Sequence, residues 1–290
     1  MASMIRIDEG KCNRCGLCVK DCISGVFRLE DGRPLPLHPE LCNRCSHCVA
    51  VCPKQAVVHE GLGALPTAKV QRRLLQPRAY REIALSRRSV RHYRQDPVPR
   101  EVLEEILDMA RYSPTASNMQ NVHYTVVTDR ALLEEVSRRI FGLADKINEV
   151  FLRKPVQLLS RRLLQNAGIV KTLERYARGW EFYKGQMLEG RDLLFHGAPV
   201  LFLIHAPKRQ SMASDNCLIA ATNIANYAHA LGLGTCFIGF LVWAMLLDRS
   251  LHGRFRIPAG HRVHAALILG TPAIRHGFHA VRKPASVQWI

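Results

Sequence analysis

No stretch of the chain approaches the roughly 20 uninterrupted apolar residues that a membrane-spanning helix requires, and no apolar signal-peptide core precedes the first cysteine run. Both absences lead us to expect a soluble protein of the cytoplasm. A Gly-x-Gly-x-x-Gly turn is also missing, so a dinucleotide-binding Rossmann unit is not indicated. Acidic side chains are scarce: 24 Asp and Glu face 41 Lys and Arg, for a formal net charge of +17. The shortage is uneven, because residues 1–60 hold 8 basic and 7 acidic side chains while the remainder holds 33 and 17, a surplus of 16. Such a field can steer an acidic electron carrier, an anionic substrate, a membrane surface or nucleic acid. The arginines are scattered through amphipathic segments and no nucleic-acid-binding motif occurs, which argues against the last of these.

Cysteine, in contrast, is concentrated. Eight of the ten fall in two near-identical runs, Cys12-x2-Cys15-x2-Cys18-x3-Cys22 and Cys42-x2-Cys45-x2-Cys48-x3-Cys52, the second followed by Pro53. Three thiolates of a C-x2-C-x2-C turn point into one small volume, and the fourth cysteine lies too far along the chain to close the same site, so it ligates the other cluster. One 4Fe-4S cluster would then take Cys12, Cys15, Cys18 and Cys52, and the other Cys42, Cys45, Cys48 and Cys22. Zinc also uses C-x2-C pairs but does not need a third and a fourth cysteine at these intervals, twice over. A disulfide framework suits neither the length nor the large apolar fraction of the chain. His47, inside the second run, reads as a solvated loop residue because four cysteines already complete each cluster. Residues 5–60 resemble bacterial two-cluster ferredoxins, with Ile23 standing where the second run has Pro53.

The length allows two domains: a ferredoxin-like unit over 1–60, a linker over 61–80 marked by glycine, proline and basic residues, and a second domain over 81–290 long enough to bury its own core. In the second domain Arg87, Arg88, Ser89 and Arg91 lie between a short helical pattern and the extended Tyr93-Arg94, and guanidinium groups beside a hydroxyl suit a phosphate monoester. A helix opens at Pro99-Arg100, carries an apolar stripe through Val102, Leu103, Ile106, Leu107 and Ala110, and stops at Ser113-Pro114. The small polar loop Ser113–Gln120 offers hydroxyls, an amide and backbone donors to a ligand before a strand at His123–Val127. A buried strand follows at Pro199–His205, then a helix from Asp215 whose Ala220, Ala221, Ala225 and Ala228 permit close packing, and a last strand at Val263–Leu269. Cys217 and Cys236 read as small core residues.

Taken together, R-R-S-V-R, S-P-T-A-S-N-M-Q, the alanine-rich helix, L-G-L-G-T-C-F-I-G-F and the terminal A-L-I-L-G-T-P resemble the nitroreductase family of FMN flavoproteins, from about residue 81 to the end. The resemblance implies an α+β fold with a central, mostly antiparallel sheet flanked by helices, and a homodimer with FMN at the subunit interface. It assigns Arg87, Arg88, Ser89 and Arg91 to the FMN phosphate and ribityl chain, and Pro114, Thr115, Ala116, Asn118 and Gln120 to contact from the opposite subunit. Ile238 and Gly239 would lie along the flavin ring, Ile238 through its backbone, with Arg282 or Lys283 reaching the phosphate. Where many relatives continue Asn-x-Gln-Pro-Trp, this chain has Gln120-Asn121-Val122-His123.

The implied function is that of an iron-sulfur flavoprotein passing electrons from two clusters to FMN and on to a nitroaromatic, quinone or activated alkene. Its donor would be a ferredoxin, a redox enzyme or NAD(P)H. A non-catalytic electron-transfer or flavin-sequestering protein is the rival reading, and a basic nucleic-acid binder with structural clusters a third. No catalytic acid is assigned. The long excursion over 131–197 carries 12 basic and 5 acidic residues between Arg138 and Arg191. It is expected to cover the flavin with Trp180, Phe182 and Tyr183 as stacking residues, or else to pack its helical stripe of Leu152, Val156, Leu159 and Leu163 in an interface.

Overall fold

In the computed structural model, residues 4–62, 68–151 and 177–290 are described. The helical stripe from Leu152 to Leu163 lies outside them. The chain divides into two compact units, one of residues 1–76 with Thr115–Gln120, the other of Pro77–Pro114 with 121–290.

In the first unit, strand β1 (Ile5–Ile7) pairs antiparallel with β4 (Val57–His59), and β2 (Phe27–Glu30) with β3 (Arg33–Pro36). The β2–β3 turn is Asp31-Gly32 with φ of 49° and 74°, the double positive φ that a two-residue hairpin with matching twist requires. Helices α1 (Leu17–Asp21) and α2 (His47–Val51) bury Cys18 and Cys48 against Ile5, Val26, Phe27 and Val57. With so few apolar side chains, the core of this unit is partly its own cysteines.

The second unit begins with α3 (Pro77–Ser86), so the expected linker ends four residues early: Pro77 is the first helical residue, where its missing N–H costs nothing. Then come α4 (Arg100–Ala110), β5 (His123–Val127), α5 (Arg130–Phe151), α6 (Trp180–Leu188), β6 (Val200–Pro207), α7 (Ala213–Ala230), β7 (Gly234–Phe237), α8 (Gly239–Leu247), α9 (Ser250–Arg254) and β8 (His261–Gly270). The strands form one antiparallel sheet in the order β5-β6-β8-β7. Central β6 and β8 are apolar on both faces because both are covered. Val200, Phe202, Ile204, Ala265, Leu267 and Leu269 face α4 and α7, whereas Leu201, Leu203, Ala266 and Ile268 face α5, α8 and α9. The α4 stripe buries Leu103, Ile106 and Ala110, and Ala220, Ala221, Ala225 and Ala228 of α7 are fully buried, as the sequence predicts. Cys217 and Cys236 are core residues too, and burial alone pushes the Cys217 thiol up to about 12.

Candidate functional site

In the first unit the two cysteine runs are near-copies in backbone as well as sequence. Arg14 and Arg44 have φ of 57° and 55°, and Gly16 and Ser46 have φ of 68° and 62°. These left-handed residues turn each loop tightly enough to bring its thiols together. The sulfurs then sort across the duplication. Cys12, Cys15, Cys18 and Cys52 line one cavity with Ile7, Leu17 and Val57, and Cys22, Cys42, Cys45 and Cys48 line another with Val26, Phe27 and His59. Backbone amides already point at sulfur: Arg14 N–H to Cys12 Sγ at 3.4 Å, Arg44 N–H to Cys42 Sγ at 3.3 Å, and Ala56 N–H to Cys52 Sγ at 3.2 Å. Burial favours the neutral thiol at Cys18 and pushes Cys48 up to about 11, so these positions ask for a positive charge to hold them as thiolates. An apolar cavity with four sulfurs and directed amides fits a 4Fe-4S cluster.

No motif or spacing pointed to His59. Its ring is buried, and Nε2 lies 3.3 Å from Cys42 Sγ. His47, expected in a loop, instead opens α2 and sits 3.6 Å from Asp21 at the exposed surface.

The loop Thr115–Gln120 belongs to this same unit. Ser117, Asn118 and Gln120 all have positive φ, and Thr115 closes the loop by accepting the Asn118 N–H through its carbonyl and the Gln120 N–H through Oγ1 at 3.0 Å each. The Asn118 side-chain amide donates to the carbonyls of Asn43 at 3.3 Å and Arg44 at 2.8 Å, between two cysteines of the second run. Its N–H₂ is thus committed to protein, and only its carbonyl oxygen remains for a flavin.

In the second unit the basic motif is stitched to the sheet. Val90 N–H donates to Thr235 O at 2.9 Å and Ser89 bridges Thr235 of β7, while Arg94 N–H donates to Thr271 O at 2.9 Å. The approach is so close that a Cβ on Gly234 would meet Val90 at 2.6 Å. This brings Arg87–Arg91 alongside the strand that leads into Ile238-Gly239. The four motif residues nevertheless differ. Ser89 and Arg91 are exposed and Arg87 half-buried, but the Arg88 guanidinium donates to the carbonyls of Leu85 at 3.0 Å, Arg87 at 2.8 Å and Phe278 at 3.4 Å. Arg88 therefore caps the end of α3 and positions the motif with three of its five N–H donors.

Ile238 is tied into the sheet. Its N–H donates to Ala266 O at 2.9 Å and its side chain is in the core, so it has no amide to offer a ring. Gly239, which opens α8, is exposed with open space where a side chain would be. On either side of it in the chain, Phe237 and then Phe240, Trp243, Leu246 and Leu247 present exposed apolar side chains. Pro114 is exposed, and Ser113 before it accepts a hydrogen bond from Asn223 of α7 at 2.9 Å. Arg282 lies exposed in the C-terminal segment and, among the described residues, bonds locally, to Val281 O at 3.1 Å. In the excursion, Trp180 stacks on Phe141 with centroids 5.1 Å apart and donates to Asp145, so it holds α6 to α5, while Phe182 stays exposed.

One cluster was missed entirely from the sequence. His123, His205 and His261 come from three neighbouring strands, with His205 Nδ1 and His261 Nδ1 2.9 Å apart and Thr125 Oγ1 3.1 Å from His205 Nε2. A bulge between Ile204 and His205 turns the ring toward its neighbours. Burial, then the histidines at 261, 123 and 264, push His205 down to about 4. The unfolded chain therefore binds more protons than the folded one between about pH 6.5 and 4, and this contribution to stability is lost as pH falls through that window. Denaturation of the second unit, followed by fluorescence of Trp180, Trp243 and Trp289, is expected to lose about 2 kcal/mol between pH 7 and 4.5 from this group. A His205→Gln variant should show a visibly flatter dependence, and an unchanged slope would rule the ring out as its source.

The Nitroreductase family model matches residues 84–271, well over half of the chain. The chain belongs to the nitroreductase family. Ahead of that domain, the 4Fe-4S dicluster domain model matches residues 11–57. Among relatives of this nitroreductase-family chain, an oxygen-insensitive NADPH nitroreductase of Helicobacter acinonychis is 30% identical over 200 residues, 66% of this chain and 86% of the relative. An NADH dehydrogenase of Thermus thermophilus is 46% identical over 61 residues, 21% of this chain, and the match spans only 30% of that relative. A nitroreductase with bound FMN from Desulfitobacterium hafniense shares the fold, with a TM-score of 0.53 at 19% identity over 72% of this chain and 98% of its own. Among the described residues, no helix of this nitroreductase-family protein is long and apolar enough to cross a membrane.

Proposed function

We propose that this protein is an iron-sulfur flavoenzyme that takes electrons through two 4Fe-4S clusters to FMN and delivers them to a small electron-poor organic molecule. The observation that carries the reading is the sorting of eight cysteines into two cross-paired sets of four on the same chain as a nitroreductase domain. Cys12, Cys15, Cys18 and Cys52 would hold one cluster, and Cys22, Cys42, Cys45 and Cys48 the other. Arg87, Ser89 and Arg91 offer charge-assisted and hydroxyl hydrogen bonds to the FMN phosphate, and Gly239 leaves room for the ring. Thr115, Ala116, Gln120 and the carbonyl of Asn118 would complete the contact from a second subunit. The exposed apolar side chains from Phe237 to Leu247 support a homodimer, since apolar patches of this kind usually mark an interface.

Clusters pass single electrons and a flavin can store two, which is what reduction of a nitro group, a quinone or an activated alkene requires. The residues of this chain position the substrate, exclude water and supply positive charge where negative charge develops. The donor is a low-potential carrier such as a ferredoxin, or a redox enzyme. NADPH, which the Helicobacter relative is named for, is the alternative.

Anaerobic purification with metal, flavin and EPR analysis tests this directly. About eight irons and one FMN per chain are expected, with turnover of nitroaromatics, quinones or activated alkenes. Bound iron and FMN without turnover of any of the three would favour a non-catalytic electron carrier instead.

A further inference from the structure

The two halves of the first unit are so alike that their differences stand out. Each run has a left-handed arginine, a left-handed residue before its short helix, and an amide bonded to the sulfur of its first cysteine. The symmetry is broken in the cavity of the first run by the Ala56 N–H, a backbone donor to Cys52 Sγ at 3.2 Å, and on the second run by two side chains. His59 places Nε2 3.3 Å from Cys42 Sγ inside the cavity that also holds Cys22, Cys45 and Cys48. Its counterpart, counted from the fourth cysteine of each run, is Leu29, which has no donor and is exposed. Asn118 bonds the carbonyls of Asn43 and Arg44, between Cys42 and Cys45. Among the described residues, Asn13 and Arg14 receive no such bond.

A cluster-ligating thiolate has no proton, so in the His59–Cys42 contact the imidazole must donate. The opposite ring nitrogen, Nδ1, is buried with no partner among the described residues, which fits its being the bare lone pair of the Nε2–H tautomer. A donor to a ligand sulfur stabilises the more negative, reduced state of the cluster and raises its potential. The donor sits inside an apolar cavity, where water screens it least.

We infer that the two clusters are inequivalent, with the one held by Cys42, Cys45, Cys48 and Cys22 kept at the higher potential by His59 and serving as the electron exit toward the loop Thr115–Gln120. One electron passes from the cluster of the first run, which is oxidised, to that of the second, which is reduced. No bond or proton changes hands, and a low-potential one-electron carrier refills the first. The inlet thus has a direction: the cluster whose cysteine loop is bonded by Asn118 is also the one where electrons collect. This rests on the cluster assignment proposed above.

The test is an anaerobic redox titration of the purified holoprotein, followed by EPR, comparing wild type with His59→Leu, which copies Leu29, His59→Phe and His59→Gln. Wild type should show two separable potentials. In His59→Leu the higher one is expected to fall by about 59 mV, a tenfold change in the reduced-to-oxidised ratio, while the lower stays fixed. His59→Gln, which keeps an N–H donor, should recover much of the shift. A Cys15→Ala protein, left with the second cluster, should keep the signal that responds to His59. Unchanged potentials in His59→Leu, or a shift confined to the lower-potential cluster, would overturn the inference while leaving the cluster assignment intact. If neither His59→Leu nor His59→Phe loads a second cluster, the role of His59 is structural and the inference also fails. A wild type without EPR-active clusters would instead defeat the functional reading on which it rests.

Discussion

Replacing Cys52 with alanine is expected to empty the site of the first run, although Cys52 belongs to the second. Cys52 shares a cavity with Cys12, Cys15 and Cys18, and its sulfur accepts the Ala56 N–H at 3.2 Å. Removing one thiolate of four should take iron from about eight to about four per chain. Pairs of substitutions show which sulfurs act together, because losses at one shared site do not add. Cys52→Ala with Cys12→Ala should still retain about four irons, whereas Cys52→Ala with Cys42→Ala should retain almost none. If each cysteine instead served its own run, the two double variants would exchange results. Because Cys18 and Cys48 are also core residues, the emptied unit should unfold more readily.

The second large effect separates two adjacent arginines. Arg87→Ala is expected to weaken FMN binding about 10- to 100-fold with little change in the stability of the apoprotein, since it would remove the proposed charge-assisted contact to phosphate. Arg88→Ala should do the opposite. Its guanidinium bonds three backbone carbonyls, at Leu85, Arg87 and Phe278, so its loss leaves the end of α3 uncapped and frees the C-terminal segment from the motif. A loss of about 1–2 kcal/mol in urea denaturation is expected, with a smaller effect on FMN affinity. Fluorescence titration with FMN and denaturation of the same proteins would measure both, and a reversal of the pattern would return Arg88 to the phosphate.

The parts of this molecule that were legible in its sequence are those whose cause is local or periodic. The α4 stripe, the alternating β5 strand, the alanine face of α7 and the apolar runs of β6 and β8 each follow from side-chain spacing, and each formed as expected. The partition of the cysteines also followed from spacing, because short loops leave thiols few places to go. What was hidden depends on partners far along the chain. Asn118 meets Asn43 across 75 residues, and His205 meets His261 across 56. The Ile238 amide is occupied by Ala266 because β7 pairs with β8, which no motif in the Ile-Gly-Phe element announces. Arg88 looked like Arg87 and Arg91 until the end of α3 gave it carbonyls to cap. Pro77 was a missed local signal, since proline at a first helical position marks where the expected linker ends.

The proposed route takes electrons to the flavin through the clusters. Anaerobic stopped-flow reduction of the holoprotein, with reduced ferredoxin and NADPH as separate donors, follows cluster and flavin absorbance together. Cluster bleaching is expected to precede flavin reduction with ferredoxin, and Cys45→Ala is expected to slow the flavin phase by at least tenfold without loss of bound FMN. Rapid flavin bleaching by NADPH with spectroscopically silent clusters, unaffected by Cys45→Ala, would contradict it.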